Sequence, residues 1–134
     1  MRVLKFGGSS LASGQRFIEV ANIIKNKSQS SRLAIVVSAP QGVTNHLVAM
    51  AENISNEEKL KSDLLHFKHA IENIIQDLSA TLPSFCPQHC EQTLATWEHQ
   101  LSRYLHGATL LSFCPEHVRA RIISIGERLS VALL

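Results

Sequence analysis

The run Leu33-Ala34-Ile35-Val36-Val37 constrains the fold more than any other part of this chain. Five consecutive apolar residues ending in β-branched ones, with no polar alternation, predict a strand buried on both faces, as in a parallel sheet. Ser38-Ala39-Pro40-Gln41-Gly42 breaks the run, and Thr44 and Asn45 then open a helix through Leu47, Val48 and Ala51. The opening of the chain has the same layout. Arg2-Val3-Leu4-Lys5-Phe6 reads as a short strand, Gly7-Gly8-Ser9-Ser10 ends it, and Phe17, Val20, Ala21 and Ile24 recur at helical spacing before a polar loop from Asn26 to Ser31. Strand, loop and helix, twice over, predict an α/β fold with right-handed crossovers.

Beyond residue 55 the pattern turns helical. Leu60, Leu64, Phe67, Ile71, Ile74 and Leu78 form one apolar stripe; Leu94, Trp97, Leu101, Tyr104 and Leu105 form a second, expected to end near Gly107. Together they predict an antiparallel helical hairpin beside the sheet. Further helices are expected from about Pro115 and from Gly126-Glu127. The chain therefore divides into a βαβα unit (1–54), a helical hairpin (55–107) and helices carrying Gly126-Glu127 (108–134). Two parallel strands are too few for an independently stable sheet. The last residues, Val131-Ala132-Leu133-Leu134, form an apolar helical run without a glycine cap. Both features lead to the expectation that this is part of a longer domain.

Composition narrows the function classes. Of 134 residues, 45% are hydrophobic and 18% charged, enough to bury a core and unlike a disordered tail. A net charge of +2, with both signs interspersed, argues against a nucleic-acid partner. Apolar runs are too short to span a bilayer, and the N-terminus lacks the pattern of a signal peptide, so the expected address is the cytosol, away from membranes. The odd set Cys86, Cys90 and Cys114 then suggests reduced thiols and no disulfide framework.

Three segments could carry chemistry. In Lys5-Phe6-Gly7-Gly8-Ser9-Ser10, paired glycines let a backbone approach polyphosphate closely, and the lysine supplies charge to the phosphates. The lysine precedes the glycines, so this is not the Walker arrangement; a tight turn with a surface lysine explains the residues equally simply. In Ser38 through Asn45, hydroxyls and an amide at the C-terminal end of a strand could hold a carboxylate at a helix N-terminus. Alternatively, Thr44 serves only as an N-cap. In Gly126-Glu127-Arg128-Leu129-Ser130, Glu127 could receive an ammonium group, or simply suit the positive end of a helix.

Taken in order and spacing, these segments resemble the aspartokinases of the amino-acid kinase superfamily, above all the N-terminus of the bifunctional aspartokinase–homoserine dehydrogenases. Lys5 to Ser10 matches their opening Lys-Phe-Gly-Gly-Thr-Ser, with Ser9 replacing threonine. Ser38-Ala39 through Thr44-Asn45-His46-Leu47-Val48 matches a second motif, and Gly126-Glu127 with Leu129-Ser130 a third. The resemblance implies the N-terminal part of an amino-acid kinase fold, three layers αβα around a mostly parallel sheet, with a helical hairpin inserted. It implies transfer of the γ-phosphoryl group of ATP, as its Mg²⁺ complex, to the side-chain carboxylate of aspartate, on the route to lysine, threonine and methionine. By position, Lys5 would contact the transferred phosphate, Gly7, Gly8 and Ser9 would admit the phosphates, and Ser38, Thr44 and Glu127 would bind aspartate. No protein-bound metal is implied, and the full-length relatives are expected to be homo-oligomers. The family's later glycine-rich loop, substrate arginine and nucleotide-base pocket have no counterpart in these residues, so an incomplete active site is expected. The rivals are another amino-acid kinase, acting on glutamate or a related acid, and a non-catalytic interaction fragment.

One internal repeat stands apart. Ser84-Phe85-Cys86-Pro87-Gln88-His89 recurs as Ser112-Phe113-Cys114-Pro115-Glu116-His117. Cys86, His89, Cys114 and His117 could in principle bind zinc, but the spacing is not that of the common sites, and two proline-led helix starts explain the repeat. His66 and His69 read as surface residues.

Overall fold

A computed structural model describes all 134 residues. Its strands are β1 (Arg2–Phe6) and β2 (Leu33–Val37), and its helices are α1 (Gly14–Ser28), α2 (Val43–Glu52), α3 (Glu57–Thr81), α4 (Pro87–Leu111), α5 (Glu116–Ile123) and α6 (Ile125–Leu133). β1 and β2 are parallel, in a register that sets Arg2 opposite Leu33 and Phe6 opposite Val37.

The local chemistry accounts for the helix starts. Ser13 Oγ accepts from the Arg16 N–H at 3.4 Å to begin α1, and Asn56 Oδ1 accepts from the Lys59 N–H at 3.0 Å to begin α3. Each fills an N–H that the first turn leaves without a partner. α3 also has Glu57 and Glu58 at its positive end. The duplicated Ser-Phe-Cys-Pro segments do lead helices: Pro87 is the first residue of α4, and Pro115 caps α5. α1 and α3 cross closely at Gly14, where an added Cβ would run into the Asp77 side chain. The Gly14 N–H donates there to Asp77 Oδ2 at 3.3 Å.

One continuous core joins these parts, from Leu11 and Phe17 through Met50, Phe67 and Ile71 to Leu101, Ile122 and Leu129. Two polar ties cross it at the surface. Arg119 of α5 reaches Glu52 of α2 at 3.4 Å, and the Arg128 guanidinium of α6 lies 5.2 Å from the centre of the Trp97 ring of α4. No helix is long and apolar enough to cross a membrane.

Three expectations need correction. β2 is not buried on both faces, because Val36 is 47% exposed, as is Val3 of β1 at 63%. In the parallel register these two share a face with Lys5. Phe6 and Val37, on the other face, pack against the helical core. The helices therefore cover one face of the sheet and leave the other open. α4 does not end near Gly107 but runs four residues further to Leu111, ending where Ser112 turns left-handed at φ 59°. The physical reason is that Ala108, just beyond Gly107, is buried and holds the last turn to the core. α1, finally, continues through Lys25 and Lys27, which suit its negative end, and takes in part of the expected loop.

Candidate active site

The three segments picked out in the sequence meet at Ala39. β1 and β2 end side by side, and the Ser38 N–H donates to the Phe6 carbonyl at 3.1 Å, which ties together the loops that follow the strands. Gly8 then lies so near the second loop that an added Cβ would stand 2.9 Å from the Ala39 carbonyl oxygen. From the other side comes Gly126, in the first turn of α6, where a Cβ would stand 2.6 Å from the Ala39 Cβ and 3.3 Å from Val43. Contacts under 3 Å are not tolerated without movement. Glycine at 8 and 126 and alanine at 39 are thus one packing arrangement that draws together residues far apart in the chain.

Around this junction the candidate residues differ in setting. Lys5 is exposed on the open face of β1. Gly7 is exposed, and nothing lies within 4 Å of where its Cβ would be, so the backbone there is free for close approach. Gly8 and Ser9 belong to a short 3₁₀ turn, Gly8–Leu11, closed by the Ser10 N–H donating to the Gly7 carbonyl at 3.0 Å. Ser38 is half-buried in the second loop, and Thr44 is half-buried in the first turn of α2. Thr44 is not the N-cap: that position belongs to Gly42, left-handed at φ 84°, with no side-chain capping bond. The Thr44 hydroxyl is thus not committed to starting the helix. Glu127 lies in the first turn of α6, beside a hollow of about 410 Å³ that Arg119 and Ser124 also line. Its Oε2 is buried and has no hydrogen-bond partner. The same is true of Ser130 Oγ one turn on.

A buried carboxylate oxygen without a partner is costly, by about 1–3 kcal/mol or more. It is the kind of feature that a bound cationic or N–H donor group would satisfy. Combined with an exposed lysine, an open glycine backbone and the start of α2, the arrangement offers positive charge and N–H groups for an anion at one end, and a carboxylate at the other. A hollow of about 420 Å³ elsewhere, lined by Ile54, Leu60, Leu64 and Leu105, is a groove between α3 and α4 unrelated to these residues.

Sequence reading placed Ala39 in the second motif but missed its role as the point where the segments meet. It also missed the Gly14–Asp77 contact, which joins residues on separate helices. The cysteines and histidines of the repeat do not gather; the one cluster of three metal-capable side chains is His46, Asp63 and His66.

Known proteins align with the whole of this arrangement. The profile of the amino acid kinase family matches residues 1–134. The bifunctional aspartokinase/homoserine dehydrogenase of Buchnera aphidicola subsp. Acyrthosiphon pisum is 37% identical over 136 residues, which cover 98% of this chain and 16% of that protein. An aspartokinase of Chlamydia pneumoniae is 32% identical, covering 98% of this chain and 26% of its own length. Among solved structures, E. coli aspartokinase III in complex with aspartate and ADP superposes with a TM-score of 0.83 at 24% identity, over 99% of this chain and 27% of that one. The chain thus spans about a sixth to a quarter of the length of the curated relatives it matches. With the parallel βαβ unit, the helical hairpin and the three converging segments all present, and a family profile matched from end to end, the chain belongs to the amino acid kinase family.

Proposed function

We propose that these residues carry the phosphoryl-facing and aspartate-facing loops of an aspartate kinase, which transfers the γ-phosphoryl group of Mg²⁺·ATP to the side-chain carboxylate of aspartate. The observation that carries this reading is the convergence of the two loops and the first turn of α6 on Ala39. The names of the relatives support it, since both the bifunctional and the single-function proteins are aspartokinases.

In this reading the Lys5 ammonium meets the phosphoryl group in transit, on the open face of β1. Gly7 lets the backbone approach the phosphate oxygens, Gly8 keeps the first loop against the second, and Ser9 adds a hydroxyl donor. Ser38 and Thr44 orient aspartate through their hydroxyls, and Glu127 accepts from its ammonium group, giving the orphaned Oε2 a partner. The nucleophile is the aspartate side-chain carboxylate. Already ionised at neutral pH, it needs no general base; one of its oxygens forms the bond to the γ-phosphorus as the bond to the β,γ-bridging oxygen breaks, and ADP leaves. An acyl phosphate, 4-phospho-aspartate, results. Catalysis then rests on positioning and on charge stabilisation by Lys5. In this reading Mg²⁺ arrives on the nucleotide as part of the substrate.

The test is aspartyl-hydroxamate formation from Mg²⁺·ATP and aspartate, read beside amide chemical-shift changes on adding aspartate. Aspartate should shift the amides around Ser38, Thr44 and Glu127, glutamate should not, and Lys5→Ala should abolish any hydroxamate while leaving those shifts in place. Equal responses to glutamate and aspartate would reassign the substrate, and product that survives Lys5→Ala would overturn the mechanism.

One observation favours a second reading. Val3 and Val36 expose apolar surface on the open sheet face, which suits a further helical layer or a second copy, as in a non-catalytic interaction unit or a homo-oligomer. Sedimentation that shows a concentration-independent monomer would count against it.

A further inference from the structure

α2 and α3 form a helical pair joined by the short loop 53–56, and a group of side chains outside the candidate active site spans it. His46 on α2 and Asp63 on α3 lie equally far from that loop, and His46 Nδ1 is 3.3 Å from Asp63 Oδ1. His66, one turn beyond Asp63, stacks its ring on that of His46, with centroids 5.5 Å apart and planes inclined by 13°. One ligand-capable atom from each of the three lies within 4.8 Å of the others.

Chemistry separates this cluster from an ordinary ion pair. An isolated His46–Asp63 contact accounts for the 3.3 Å distance but does not involve His66, whose own polar contact is a long one, 3.5 Å from Nδ1 to Ser62 Oγ, and two protonated imidazoles face to face would repel. Two donors of a tetrahedral zinc centre, each about 2.0–2.1 Å from the metal, stand about 3.3 Å from each other. That is the His46–Asp63 spacing already present. His66 is exposed and can swing its ring to close the remaining distance, while an Asp and a His three residues apart on one helix project from the same face. The nearby lysines do not compete for Asp63, since Lys61 is held by Glu57 at 2.6 Å and Lys68 lies near Glu72 and Glu98. Imidazole with carboxylate suits late first-row divalent cations.

We propose that His46, Asp63 and His66 form a binding site for such a cation, Zn²⁺ in the first instance, which clamps α2 to α3 and leaves a coordination position to water. The site stands independently of the catalytic reading. Because α2 follows directly from the Ser38–Gly42 loop, an occupied clamp stiffens the element that carries Thr44.

The test uses the whole chain and the metals alone. Co²⁺ should bind with one-equivalent saturation, giving visible d–d bands without thiolate charge-transfer absorption, and Zn²⁺ should raise the melting temperature. His66→Gln and His46→Gln should each weaken binding about tenfold or more and abolish the thermal shift. His69→Gln, a change at another exposed histidine of α3, should alter neither. Unsaturable binding up to millimolar Co²⁺, charge-transfer bands from Cys86, Cys90 or Cys114, or unchanged affinity in His66→Gln would each overturn the proposal. His66 is exposed, so its variant should fold, and the metal-free melt of each variant checks this directly.

Discussion

The loop end of the molecule and the α3–α4 hairpin are held by different means. In the hairpin, stability comes from side-chain volume: Phe67, Ile71 and Leu101 are fully buried, and the two stripes that contain them repeat at helical spacing. At the loop end it comes from the lack of volume, because Gly8 and Gly126 admit Ala39 at distances that a side chain would forbid. α3 and α4, 25 residues each, leave between them one buried side-chain polar atom without a partner, Glu98 Oε1, whereas the nine residues of α6 leave two, Glu127 Oε2 and Ser130 Oγ. A region built by filling space is made for stability; one that keeps space and orphaned polar groups is made to receive something.

Substitutions can break this contrast or sharpen it. The largest effect is expected at Phe67→Ala, which empties a fully buried site in the hairpin and should cost about 3–5 kcal/mol in denaturant unfolding. Next is Gly126→Ala. Adding one methyl group against Ala39 should destabilise by about 1–3 kcal/mol, read from the same curves. The opposite sign is expected at Gly107→Ala: this glycine lies inside α4 with nothing within 4 Å of its missing Cβ, so alanine should stabilise by about 0.5–1 kcal/mol. If both glycine variants moved stability in the same direction, the distinction between the two regions would fail. Glu127→Gln should leave the melting temperature unchanged or slightly raised, since it neutralises a carboxylate with an unpartnered buried oxygen, while removing the response of nearby amides to aspartate.

A smaller effect concerns pH. Burial pushes the Cys90 thiol above its ordinary value, helped by the neighbouring Cys86 and Glu91. Burial likewise raises Cys114, with Arg119 opposing it. A raised thiol is neutral at pH 8, so iodoacetamide should label the exposed Cys86 well before Cys90. The sign for stability follows: the contribution of the neutral thiols is complete below the unfolded value, about 8.5, and is lost as pH rises through the higher folded values. Melting temperature should therefore fall on the alkaline side, and Cys90→Ala should reduce that fall.

The sequence disclosed the regular elements because they are local. The β-branched run made β2 recognisable, the apolar stripes made α3 and α4 recognisable, and the motifs at Lys5–Ser10, Ser38–Val48 and Gly126–Ser130 carried the family resemblance. Local pattern misled where packing decided. Gly107 looks like a stop, yet the helix passes it because Ala108 is anchored in the core. Thr44 looks like a cap, yet Gly42 takes that position because it can turn left-handed.

By itself, then, the sequence determined which segments are helix or strand and which loops are rich in glycine and hydroxyls, since these follow from periodicity and backbone freedom within a few residues, and its three motifs carried the resemblance to the family. Only the tertiary structure decided that Gly8, Ala39 and Gly126 meet, that one face of the sheet stays open beside Lys5, and that His46 comes to lie beside Asp63 and His66. Each of those results joins residues distant in the chain, and such contacts are set by how whole elements pack, which no local pattern records.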